Sequence, residues 1–270
     1  MLNRIYLYAA TMLAVVGAGV RTLLLAIGVD EKSGFYKPQY ATLGSALGIT
    51  ALVLLAGFLI WGRVAFKPKT AVAFPQKNQP LAVGALLVAI TAVIQGVCDY
   101  SAVTEGNLGL LAFVCCFATA LGYGVIGMSL WMEKPIPFIT TALPIVGQLI
   151  YLILQYANFN GVATIPEGTI WVLAIASFLA LTMSQCRIIS GVDSPKGVAF
   201  GYGTAAVTAF FGLCSSVPYW VAGNNQYPLT YIGFGAAVYA LVYLFALPTL
   251  AKKQDHTDVG IIEESSTEEE

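Results

Sequence analysis

The sequence predicts an all-α, polytopic membrane bundle of about eight transmembrane helices with both termini on the cytoplasmic side. Three observations carry this. Of 270 residues, 58% are hydrophobic and only 10% charged, whereas a soluble domain carries about 25% charged residues to face water. The few charges fall in clumps between apolar blocks. The blocks reach about 20 residues, enough at about 1.5 Å per residue to cross a hydrocarbon core of about 30 Å. Mean hydropathy is +0.78. The net charge of −1 says little about partners, because the acid is concentrated at the C-terminal end.

The first run, 5–28, follows only Arg4 and is about twice as long as a signal core, so it reads as an uncleaved span. The polar stretch "VDEKSGFYKPQY" separates it from the second, 41–62. Arg63, Lys67, Lys69 and Lys77, with Pro75 and Pro80, lead to the third span, 81–98, whose end Gln95 and Asp99 interrupt. Pro135 and Pro137 divide the fourth, 108–131, from the fifth, 138–158. Pro166 precedes the sixth, 168–189; the seventh is 198–220; Pro228 precedes the eighth, 229–250. Prolines at the gaps act as helix breakers. Residues 1–250 are thus the bundle. Residues 251–270 begin Lys252-Lys253, end "EESSTEEE", and read as a disordered acidic cytoplasmic tail, with a docking role as the alternative.

Lys and Arg are retained on the cytoplasmic side. One set of connections holds ten of them: Arg4, Arg63, Lys67, Lys69, Lys77, Lys134, Arg187, Lys196, Lys252 and Lys253. The other holds two, Lys32 and Lys37. The stretch 29–40 is then an outer loop, with Phe35 and Tyr36 at the headgroups and Asp30 and Glu31 in water. Trp61 and Trp131 fall at inner helix ends and Trp171 and Trp220 at outer ones, as interfacial belts. The third and seventh spans share a Thr-Ala…Gly-x-Cys pattern (Thr91 to Cys98, Thr208 to Cys214), a hint of a four-plus-four repeat.

Gly122-x-Gly124-x-x-Gly127 matches a dinucleotide fingerprint by letter, but no strand precedes it, so close helix packing explains it better. Gly44-x-x-x-Gly48 and Gly197-x-x-x-Gly201 read the same way. The single histidine, His256, lies in the tail, which removes paired-His haem ligation and His-rich metal centres. The five cysteines, Cys98, Cys115, Cys116, Cys186 and Cys214, show no Cys-x-x-Cys spacing and read as packing residues; a Cys98–Cys214 pair stays open. No common hydrolase, protease or nucleotide-binding motif occurs. Neither an enzyme, a cofactor, a metal nor a nucleic-acid partner is expected.

A sparse polar set within the bilayer remains. Arg21 lies about 10 Å inside the outer end of the first span. A charge there is costly and asks for a partner; Asp99, with Gln95 one turn below it, is better placed than Asp30 or Glu31. Gln148, Tyr151 and Gln155 share one face of the fifth span, and Thr204, Thr208 and Ser215 form a stripe on the seventh. Two readings stand. Either these faces converge on an outward-facing pocket for a small anionic or polar ligand, with Arg21 as its cation, or Arg21 snorkels and the polar groups bond neighbouring helices. The outer segments "QYANFNG" and "GNNQYP" join amides to aromatics, which suits turns and interfacial anchors, or a sugar or peptide.

An acidic pair followed by "SGFYK" after an Arg-containing first span resembles multi-pass proteins of anaerobic Gram-positive bacteria that carry no assigned activity. The likeness covers residues 15–40 and the general hydropathy; it implies a bacterial plasma membrane and nothing about chemistry. The functional expectation is small-molecule transport or binding. The alternative is a non-transporting sensor or scaffold that assembles with partner membrane subunits.

Overall fold

The computed structural model describes residues 2–28, 37–66, 74, 77–102, 108–159, 166–192, 195–221 and 230–246. These are helical almost throughout, with no strand among them. The elements are α1 (Leu2–Leu23), continued by a π-helical turn (Leu24–Gly28), α2 (Pro38–Ala65), α3 (Gln79–Ala102), α4 (Leu108–Met132), α5 (Phe138–Phe159), α6 (Pro166–Ile189) and α7 (Pro195–Val221). A last helix, α8, covers Thr230–Ala246. The first seven are long and apolar enough to cross a bilayer, and α8 is a shorter apolar helix within the described residues. This is a multi-pass membrane bundle. The expected outer loop at 29–36, the segments 160–165 and 222–229, and the expected tail at 251–270 lie outside the described residues.

The helix starts follow from the chain. Pro38 sits in the first turn of α2, where its missing N–H costs nothing. The Asn78 side chain accepts from the Leu81 main-chain N–H at 3.1 Å and caps α3. Gly191, at φ +67°, ends α6 as only glycine does cheaply.

Packing is uneven, and that defines the architecture. α7 is the most enclosed of the spanning helices, whereas α1 and α2 are the least. A cluster of rings at the start of α7 joins these three: Tyr6 lies 5.0 Å from Tyr202 and 5.4 Å, edge-on, from Trp61. The Phe66 ring lies tilted, 4.9 Å from that of Tyr202. The Tyr6 hydroxyl donates to the Phe58 carbonyl at 3.1 Å. α1 runs parallel to α7, since Tyr6 meets Tyr202 and Gly17 meets Phe210.

Helices consecutive in the chain pack antiparallel. Gly96 of α3 faces Cys116 and Phe113 of α4, while Gly127 of α4 faces Leu86 and Ala82 of α3. Gly147 of α5 lies against the Cys115 carbonyl of α4, and Gly122 of α4 against Pro144 of α5. Gly201 of α7 meets Ser184 of α6, and Trp171 of α6 meets Tyr219 of α7 at 5.7 Å. α8 lies between α7 and α3, through Gly212 against Gly233 on one side and Gly235 against Thr91 on the other. Small residues let these backbones approach, which is where membrane helices gain most of their contact.

Several expectations are corrected. Trp171 is buried against Tyr219 rather than set in an interfacial belt. Trp131 and Trp220 keep exposed rings. Of the three fourth-helix glycines, Gly122 and Gly127 are tight contacts, whereas a Cβ on Gly124 would meet only Ala89, at 3.8 Å. Gly48 faces open space. All five cysteines are free, so Cys98 and Cys214 do not pair. The two similar segments do parallel work, Gly96 seating α4 and Gly212 seating α8. Lys77 pairs with Glu133, which puts the connections before α3 and after α4 at one end of the bundle.

Candidate functional site

Asp99 is the natural starting point, because a carboxylate near the end of an apolar helix must find donors. It is half-buried in the last turn of α3. Gln95, four residues earlier and on the same face, donates from Nε2 to Oδ1 at 2.8 Å. The Tyr151 hydroxyl of α5 donates to Oδ2 at 2.5 Å, a charge-assisted bond between helices far apart in sequence. Gln95 is itself held by the Tyr231 main-chain N–H, which donates to Oε1 at 3.2 Å. That bond ties the first turn of α8 to α3. Gln155, buried one turn beyond Tyr151, lies beside its hydroxyl.

Below Tyr151 a cavity of about 20 Å³ opens between α4, α5, α6, α7 and α8. It has room for a water molecule or two. Gln148 and Tyr151 line it, with Cys116 and Thr119 of α4, Phe178 of α6 and the Gly212–Gly233 contact of α7 and α8. Gln148 is 1% exposed, and neither its Nε2 nor its Oε1 closes a hydrogen bond. A buried carboxamide in that condition is unusual, since more than about 90% of buried polar groups in folded proteins are paired. The Tyr123 hydroxyl of α4 lies beside the carboxamide and interacts with it, without closing a hydrogen bond of good geometry.

Polar groups continue beyond it. Tyr123 of α4 shares a hydrogen bond with Thr182 of α6 at 2.8 Å and donates to Gln185 Oε1 at 3.4 Å. The Gln185 Nε2 lies beside the Tyr239 hydroxyl of α8, and both are buried without a bond. Ser184 Oγ, against Gly201, is buried and unbonded too. The order along the antiparallel helices is therefore Asp99, Tyr151, Gln148, Tyr123, Gln185. It runs from the end where α3 and α5 finish toward the end where α4 and α6 finish.

The expected site residues thus divide. Gln95, Asp99, Gln148, Tyr151 and Gln155 come together. Thr208 is fully buried on α7, where its hydroxyl donates to the Thr204 carbonyl at 2.9 Å, and it does not line the cavity. Thr204 and Ser215 likewise bond their own helix. Arg21 is buried on α1, within electrostatic reach of Cys214 on α7. The expected Arg21–Asp99 pair does not form, because Asp99 takes its bonds from Gln95 and Tyr151.

Sequence reasoning missed Tyr123, Thr182, Gln185 and Tyr239. Thr182 and Gln185, three apart in "LTMSQC", were a legible signal. Among the described residues no group of three or more His, Cys, Asp or Glu converges. What the arrangement offers is neutral hydrogen bonding from one end of the bundle toward the other, with a single carboxylate at one end. The chain matches no protein-family model, no curated protein and no solved structure.

Proposed function

We propose that the protein binds a small polar molecule inside the α4–α8 bundle and transports it across a membrane, with the cavity at Gln148 as its midway site. The observation that carries this reading is the Gln148 carboxamide, buried, unbonded on both atoms and facing a cavity. Where neither protein nor water satisfies such a group, the cost is about 1–3 kcal/mol. That cost is recovered when a ligand supplies both a donor and an acceptor. Polar side chains above and below the cavity support passage rather than a dead-end site. Its present size suits an occluded state, from which a larger ligand gains entry as α7 and α8 separate at the Gly212–Gly233 contact. A bacterial plasma membrane is the setting that the resemblance of residues 15–40 implies.

A thermal-shift screen of the detergent-solubilised protein tests this. The panel is small carboxylates, amides, amines and sugars. At least one should stabilise the wild type saturably, as a ligand of the folded state must, and lose that effect in Gln148→Leu. The reading fails if no member does so.

A second reading, a scaffold that assembles with partner helices, is favoured by one observation. Gly19, Gly48 and Gly57 on the two peripheral helices face open space, the small-residue surface a partner helix uses. Cross-linking between copies, or to another membrane protein, through Gly57→Cys would support it.

A further inference from the structure

The Asp99–Tyr151 hydrogen bond joins a carboxylate in the last turn of α3 to the wall of the cavity. A phenol has one proton and two acceptor lone pairs. While Asp99 is a carboxylate, the Tyr151 proton is committed to Oδ2, and Tyr151 turns only lone pairs toward the cavity. When Asp99 takes one proton from solvent, it becomes a donor and can give that hydrogen to the Tyr151 oxygen. The Tyr151 proton is then released from Oδ2 and can turn to another acceptor at the cavity wall, where Gln155 and the Cys116 sulfur lie beside the hydroxyl. No covalent bond to carbon changes; one O–H bond forms on Asp99, and the proton comes from water.

The surroundings suit a group whose state can change. Gln95 anchors Oδ1 in either state, because Nε2 donates to an acid carbonyl as well as to a carboxylate. The titratable groups facing Asp99 are Cys98 on its own helix, Cys116 of α4 and Tyr151 of α5; α8 presents the Tyr231 main chain through Gln95. Among the described residues no cation pairs with Asp99 to hold it permanently ionised.

We infer that Asp99 is a proton-binding site that sets what the cavity recognises, so that a small molecule bearing a hydrogen-bond acceptor, a carboxylate or a carbonyl, is bound together with one proton. The protonated state offers two donors, Tyr151 O–H and Gln148 N–H, at one wall. The ionised state offers only the second. Linkage then requires that an acceptor ligand favour the protonated acid, and the protonated acid the ligand, by the same factor. This inference rests on the cavity being the binding site.

Infrared spectra of the full chain in lipid nanodiscs, with isotope-labelled Asp and Tyr, test it across about pH 4 to about pH 9. One carboxyl absorption should appear as the pH falls, and it should be absent in Asp99→Asn. The Tyr151 C–O band, identified by its loss in Tyr151→Phe, should shift with the same midpoint. Tyr151→Phe keeps the acid and should move its midpoint, which assigns the band even if Asp99→Asn folds poorly. With isotope-shifted formate as the acceptor probe, the midpoint should rise; methylammonium should not raise it. A Tyr151 band that stays fixed while Asp99 titrates, an Asp99 that never titrates, or a midpoint indifferent to formate each overturns the inference. Failure of the cavity reading is distinct: it leaves the titration intact and appears as a solute panel that stabilises nothing.

Discussion

Gln95 and Gln148 are both buried carboxamides in spanning helices, yet their energetics are opposite. Gln95 closes bonds to Asp99 and to the Tyr231 main chain; Gln148 closes none. Gln95→Leu strands a half-buried carboxylate oxygen and a main-chain N–H, and should lower unfolding stability in detergent by about 1–3 kcal/mol. Gln148→Leu removes a penalty and should leave stability unchanged or raise it by about 1 kcal/mol. Chemical-denaturation curves in one detergent compare them directly; an equal loss in both would mean that Gln148 has a structural partner. Functional sites commonly hold such locally unfavourable groups. The same logic applies to Tyr151. Tyr151→Phe and Asp99→Asn should each cost about 1–2 kcal/mol, and the double variant less than their sum, because the charge-assisted bond is counted once. Strict additivity would deny that the two act together.

At the scale of elements, contact between helices is decided by glycines that share a motif but not a role. A Cβ at Gly122 would run into the Pro144 ring of α5, itself a helix-interior proline that cannot shift without moving its turn. Gly122→Ala should therefore lose about 1–3 kcal/mol through overpacking. Gly124→Ala meets only Ala89 at 3.8 Å and should be neutral or gain up to about 1 kcal/mol from helix propensity. Melting temperatures in detergent distinguish them, and a larger loss at Gly124 would refute the packing described for α4. The motif alone could not separate these positions, because spacing gives the face of a helix but not which neighbour fills it. Pro144 also lies one turn before Gln148, so α5 lacks a main-chain hydrogen bond just beneath the cavity.

For the whole molecule, helix number and extent were legible because a hydrocarbon core imposes a length that apolar runs must meet. Prolines and charge clumps marked the ends to within a few residues, as at Pro166, where α6 begins. What was not legible is which helix lies inside. α7 is the most enclosed, and its run of Gly, Ala, Ser and Thr was the clue, but hydropathy rewards lipid-facing and interior residues alike. Tyr123 and Tyr239 were hidden for the same reason: in an apolar run a tyrosine counts as a ring, and its hydroxyl matters only once neighbours converge. Arg21 misled because its burial was anticipated but its neighbouring helix was not; α1 leans on α7, away from the end of α3. Orientation rests on the loop charges alone. In a background free of native cysteines, Ser33→Cys should react with an impermeant reagent on intact cells and Thr70→Cys should not. The reverse result would invert the molecule.

The central claim is that the bundle interior at Gln148 communicates with water. Reactivity of Gln148→Cys toward a small, charged, impermeant thiol reagent on intact cells tests it most directly, with Val146→Cys on the exposed face of the same helix as the comparison. The account predicts that position 148, though buried among five helices, reacts, while position 146, exposed only to lipid, does not. An unreactive position 148, in cells where Ser33→Cys labels fully, would contradict it.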